Sequence, residues 1–142
     1  VDPYYLSHVS KLNKFKLITT LAGRKTNSYM KYYVLKKFKS FTKKNNIKKK
    51  CKILIIGLTY KYGVPDMRNS INNQIFNIIK KQYKNAKAYD PFMKSNDNTV
   101  KIKNISKFDL FIFLTDGEKF KNIFYKVKKL KKKIINPFKY FV

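Results

Sequence analysis

Lys61, Asp66 and Arg68 stand together in one short polar turn, directly after the apolar run Ile53-Leu54-Ile55-Ile56 and its stop at Gly57. A lysine is a compact point cation, suited to a pyrophosphate or a sugar oxygen; an arginine is a planar fork that takes a carboxylate or phosphate through two bonds. The trio therefore reads as charged groups delivered to a binding crevice. Each has a plainer reading beside it. Lys61 is one lysine among many, and Arg68 can pair with Asp66 to shape the turn, a role compatible with ligand contact. Asp90, followed by Pro91, is as readily a turn-former as a ligand contact. Asp2 precedes Pro3, a pair suited to the N-cap and first position of a helix.

The elements that must position these groups follow from periodicity. Four consecutive apolar residues at 53–56 fit a strand covered on both faces, as parallel strands are. The carboxyl end of such a strand is where open α/β sheets bind ligands. A helix from about Ser70 to Tyr83 is expected next, with Ile71, Ile75, Ile78 and Ile79 on one face. Further strands are expected at Ala86–Tyr89, Phe108–Leu114 and Ile134–Ile135, with a helix at Glu118–Lys131. Strands alternating with helices predict a Rossmann-like parallel sheet with helices on both faces. The span from Pro91 to Phe108 is too short for a full crossover helix and predicts a trimmed connection.

Ahead of this unit lie a short helix, Pro3–Leu12, and one long helix from Lys16 to about Lys44. The apolar residues of the long helix, Leu17, Leu21, Met30, Tyr33, Val34, Phe38 and Phe41, need a partner surface. That surface is either a second copy of the chain or the chain's own domain. Asn45-Asn46 and Lys48-Lys49-Lys50 mark a polar linker, dividing residues 1–46, a helical segment, from residues 47–142, the α/β domain.

The net charge of +27, from 34 Lys and Arg against 7 Asp and Glu, ordinarily points to a polyanion. Here the basic residues run from Lys11 to Lys139, and only Arg24 and Arg68 are Arg. This reads as a solvated basic surface with salt-sensitive, non-specific affinity for anions. No basic recognition helix, zinc module or ribonucleoprotein motif predicts specific nucleic-acid recognition. Eleven Tyr and twelve Phe supply much of the core. The single Cys51, at the linker–strand junction, is expected to be buried packing, and the single His8 a helix-surface residue. No metal site and no membrane span are expected, and a reducing cytoplasm is the simplest setting.

Three stretches carry a resemblance: Gly57-Leu58-Thr59-Tyr60-Lys61 with Asp66-Met67-Arg68-Asn69-Ser70, then Ala88-Tyr89-Asp90-Pro91, and the opening Val1-Asp2-Pro3-Tyr4-Tyr5-Leu6. In this order they resemble the C-terminal part of the UDP-glucose/GDP-mannose dehydrogenase family, nucleotide-sugar 6-dehydrogenases that make uronic acids with NAD. The opening stretch is similar to the branch acting on UDP-N-acetylhexosamines. The resemblance implies that Tyr60 and Lys61 contact the nucleotide sugar, that Arg68 reaches NAD across a domain interface, and that Asp2 assists chemistry beside a cysteine. It implies a homodimer through the long helix. It also implies that the chain is the carboxyl-terminal piece of a longer enzyme, with the nucleophilic cysteine and most of the NAD site outside it and no catalysis by the piece alone. In one place the pattern departs: Asn136-Pro137-Phe138-Lys139 stands where the family runs into Asp-x-Arg, so Lys139 replaces that arginine or the contact is lost. The expected function is part of an NAD-dependent UDP-N-acetylhexosamine (or UDP-glucose) 6-dehydrogenase serving surface polysaccharide synthesis. The other reading is a non-catalytic nucleotide-binding or dimerisation module.

Overall fold

Four parallel strands form the centre: β1 (Ile53–Ile56), β2 (Lys87–Tyr89), β3 (Leu110–Phe113) and β4 (Lys133–Ile135), ordered β2-β1-β3-β4. The structure, a computed structural model, describes residues 2–93 and 99–141, without the side chains of residues 2 and 102–104. Helix α3 (Ile71–Gln82) connects β1 to β2, and α4 (Glu118–Lys129) connects β3 to β4. Alternation along the strands sends neighbouring side chains to opposite faces. Ile53 and Ile55 of β1, with Leu110 and Ile112 of β3, pack under Ile75, Phe76 and Ile79 of α3. Leu54, Ile56, Phe111 and Phe113 pack on the other face under Phe120, Ile123, Phe124 and Val127 of α4. All eight residues of β1 and β3 are buried, as a central pair covered on both sides requires. The predicted α/β architecture, a parallel sheet with helices on both faces, is the one observed.

The connection from β2 to β3 is trimmed, as the length predicts. In its described part it makes an isolated parallel bridge, Ala88 to Thr99, and then a single 3-10 helix, Ile102–Lys107. Because β1 feeds β2 on one side and β3 lies on the other, the chain changes winding direction between β1 and β3. This is the point where a crevice opens at the carboxyl edge of a doubly wound sheet.

Two helices precede the sheet: α1 (Asp2–Leu12) and α2 (Ile18–Lys44). Asp2 is the first residue of α1, and its side chain lies outside the described residues. The carboxyl half of α2 belongs to the domain: Val34 and Phe38 are buried with Ile53, Ile55 and Ile79, and Phe38 meets Tyr83 edge-on at 5.5 Å. Lys37 Nζ donates to the Pro137 carbonyl at 3.1 Å, tying the helix to the turn after β4. The amino half stands clear. Ile18 is 72% exposed, and Leu21, Tyr29 and Tyr32 are exposed, as are Leu12 at the end of α1 and Phe15 in the turn between the helices. The long apolar stripe is thus half covered by the chain's own domain and half open. Arg24 lies over the Tyr4 ring at 5.0 Å, joining α1 to α2.

Candidate nucleotide-binding crevice

The loop after β1 is built by close approach. Gly57 adopts φ +88°, and a Cβ there would stand 2.6 Å from the Thr115 Cβ, so only glycine lets β1 leave the sheet beside the end of β3. Asp90, at the end of β2 and 4% exposed, then fastens the loop. Its Oδ2 accepts from the Leu58 N–H (2.8 Å), the Thr59 N–H (3.0 Å) and the Thr59 hydroxyl (3.0 Å), while Oδ1 accepts from the Phe92 N–H (3.0 Å). Asp90 is therefore the structural hub of this edge, the turn-forming alternative of the two read from sequence.

Beyond Thr59 the chain turns outward, and Tyr60 and Lys61 are exposed. Tyr62 turns back: its ring lies against Gly117, and it meets Phe92 at 5.0 Å and Phe120 at 5.7 Å edge-on. Asp66 closes the turn by accepting from the Arg68 backbone N–H (2.8 Å) and from its guanidinium (2.9 Å). Bonds from the Arg68 side chain first, then its backbone N–H, hold the Asp66 carboxyl below its ordinary range. The loop ends at Ser70, whose hydroxyl donates to the Leu58 carbonyl at 2.6 Å and accepts from the Asn73 N–H as the N-cap of α3.

A cavity of about 580 Å³ opens at this edge. Tyr60 and Lys61 line it from the β1 loop, Ser70, Ile71 and Asn72 from the amino end of α3, and Thr115 and Asp116 from the end of β3. Asn27, Met30 and Val34 of α2 form a further wall, with Phe138 and Tyr140 after β4. Asn72 Nδ2 donates to the Thr115 hydroxyl at 2.9 Å, stitching α3 to β3 across the switch point. A cation and a helix amino terminus converging on one crevice favour an anion. Burial, then the Asp116 carboxylate, push the Tyr140 phenol up, so it is a hydroxyl donor at neutral pH.

The structure brings Tyr60 and Lys61 together on one cavity, as predicted in sequence. Arg68 does not line it: its side chain is 88% exposed and clamped to Asp66. Lys139 does not line it either, and adopts φ +55° in the exposed turn after β4. Cys51 precedes β1 at the opposite edge of the sheet. It is half-buried where full burial was expected, because it caps the core beside the exposed Lys52; burial and then the Asp109 charge push its thiol up. His8 is exposed on α1. Asn72, Thr115 and Asp116 were missed. The last two were accessible in principle, since they directly follow β3 at the edge where the first loop was placed.

Comparison with known proteins places this geometry. Residues 54–141 match the UDP-glucose/GDP-mannose dehydrogenase family, UDP binding domain. A UDP-N-acetyl-D-mannosamine dehydrogenase from Methanococcus vannielii is 31% identical over 95% of this chain and 32% of its own length. A UDP-N-acetyl-D-glucosamine 6-dehydrogenase from Pseudomonas aeruginosa is 31% identical over 68% of this chain and 23% of its own. Among solved structures, the UDP-D-ManNAc dehydrogenase from Pyrococcus horikoshii aligns with a TM-score of 0.65 at 26% identity, covering 81% of this chain and 27% of that one. The UDP-N-acetyl-mannosamine dehydrogenase Cap5O from S. aureus aligns with a TM-score of 0.63 at 31% identity, covering 86% and 28%. The chain spans about a quarter to a third of the curated relatives it matches. With the match running from within β1 through the turn after β4, the chain belongs to the UDP-glucose/GDP-mannose dehydrogenase family, through that family's UDP-binding domain.

Proposed function

We propose that the crevice at the carboxyl edge of β1 and β3 binds the UDP moiety of a UDP-N-acetylhexosamine or UDP-glucose, as part of an NAD-dependent 6-dehydrogenase that makes the uronic acid for surface polysaccharides. The observation that carries this reading is the convergence of Lys61 and the amino end of α3 on one cavity, where a pyrophosphate finds a point charge and a helix dipole. Tyr60 lines the same wall and contacts the nucleotide sugar. Asn27, Asn72 and Tyr140 offer further polar partners.

In the whole enzyme NAD would serve as the hydride acceptor and a cysteine thiol as the nucleophile. Cys51 does not supply that thiol to this crevice, being at the other edge of the sheet with its pKa raised. Asp2 is the auxiliary acid of that chemistry, and Arg68, with its fork held outward by Asp66, meets NAD from a neighbouring domain. Among the described residues no group of His, Cys, Asp and Glu assembles to hold a metal ion, and none is invoked. Residues 1–46 serve as the helical dimerisation segment and 47–142 as the UDP-sugar-binding domain; the open apolar half of α2 supports a homodimer. The setting is the cytoplasm; none of the described helices is long and apolar enough to cross a membrane.

Calorimetric titration of the chain at moderately high salt with UDP-N-acetylglucosamine, UDP and ADP tests the reading. Uridine-selective binding, weakened about tenfold by Lys61→Ala, is the expected result. Equal affinity for UDP and ADP, unchanged by Lys61→Ala, would show that diffuse charge is acting and sink the proposal.

A further inference from the structure

A second cavity, of about 550 Å³, lies at the other edge of the sheet, against the amino ends of β1 and β2. Six lysines line it: Lys52, Lys80, Lys84, Lys87, Lys101 and Lys107. Thirty-two of the 142 residues are lysine, so its nine lining residues would hold about two at average composition. The UDP crevice has one lysine, Lys61, among fourteen lining residues. The concentration is thus local, not a reflection of a basic chain. Among the described residues, Asp66, Asp90, Asp116 and Glu118 all follow carboxyl ends of strands, and at the amino edge the Asp109 carboxylate accepts from the Lys52 N–H at 3.0 Å.

The fold holds these cations close at a cost. Lys80 Nζ donates to the carbonyls of Lys84 (2.7 Å) and Ala86 (2.8 Å), fixing the turn after α3. Burial first, then the charges of Lys87 and Lys84, push its pKa down. Asn85 Nδ2 donates to the Lys50 carbonyl at 3.0 Å, tying the turn after α3 to the segment that enters β1.

We propose that this lysine-lined cavity binds a compact oligophosphate, a run of three or more linked phosphates, at a site separate from the UDP crevice. Lysines are point charges without the fork that reads a single planar group, so they suit dense, multivalent charge. The volume falls within the range of small-ligand sites.

The test is titration with inorganic tripolyphosphate, ATP and orthophosphate at about 0.15 M salt, where long-range attraction is screened. Two charge-matched variants are compared, Lys84→Gln/Lys101→Gln/Lys107→Gln in the cavity and Lys126→Gln/Lys128→Gln/Lys129→Gln on α4, with urea unfolding to show that both are folded. Tripolyphosphate should bind well ahead of orthophosphate, about tenfold more weakly to the cavity variant, and unchanged to the α4 variant. ATP binding like tripolyphosphate assigns the site to phosphates alone, and tighter ATP binding assigns it to a nucleotide; either supports the proposal. Equal loss in the two variants, or orthophosphate binding as tightly as tripolyphosphate, overturns it. So does full competition by single-stranded RNA at equal phosphate concentration, which would make the surface a nucleic-acid groove.

Discussion

Replacing Asp90 by alanine removes one acceptor group and strands three backbone donors, the N–H groups of Leu58, Thr59 and Phe92. The Thr59 hydroxyl loses its partner too, but can rotate. Two of these donors are in residues buried with Asp90, where an unmade hydrogen bond costs about 1–3 kcal/mol; Phe92 is half-exposed and recovers water. The expected destabilisation is about 3–5 kcal/mol. For a domain of this size, with an m value near 2 kcal/mol/M in urea, the midpoint should fall by about 2 M. Asp90→Asn should cost less, about 1–2 kcal/mol: its carbonyl can still serve Leu58 and Thr59, but its NH2 then faces the Phe92 N–H. Because Tyr60 and Lys61 directly follow Thr59, UDP affinity should drop in both variants in the same order. Urea unfolding followed by tyrosine fluorescence, with calorimetric UDP titration, gives both readouts. Asp90→Ala within 0.5 kcal/mol of the parent at unchanged m, or asparagine costing as much as alanine, would refute the assignment of Asp90 as the hub.

Two further outcomes are expected. Gly57→Ala combines an unfavourable φ with contact against Thr115, and should cost about 3 kcal/mol, read as a fall of about 10 °C in thermal unfolding. The Asp66 carboxyl titrates lower in the folded chain than in the unfolded one, so what the Asp66–Arg68 clamp contributes is present above the ordinary carboxylate value and is lost as the pH falls through the lowered folded value. NMR of the Arg68 Nε–H should follow that loss, and Arg68→Gln should return the Asp66 titration to the ordinary value; an Asp66 titrating normally in the parent would show the clamp to be absent in solution.

Much of the architecture was legible because the signals are local. The apolar run 53–56 announced a doubly covered strand, and the turn after it announced the binding edge. The spacing of Ile71, Ile75 and Ile79 gave α3 to within a residue or so at each end, where the Ser70 cap and Tyr83 stop it. Helix α2 starts at Ile18, two residues later than predicted, because Leu17 makes no side-chain cap and the pattern alone cannot place a start. The site was half legible. Tyr60 and Lys61 sit on the loop that motif and topology indicate, whereas Asn27, Asn72 and Thr115 reach the cavity through contacts between elements distant in sequence. Asp90 looked like an ordinary Asp-Pro turn, since nothing local reveals that two amides some thirty residues earlier converge on it.

Helix α2 is one rod of 27 residues, about 40 Å long, doing two jobs at different heights. Asn27, Met30 and Val34 wall the crevice, and within two turns of them Leu21 and Tyr29 face outward uncovered. A ligand whose grip depends on where that wall stands is thermodynamically linked to whatever covers the open stretch, and the linkage runs equally in both directions. Affinities measured with that stretch open therefore belong to one arrangement of the wall, and covering the stretch would retune the same crevice.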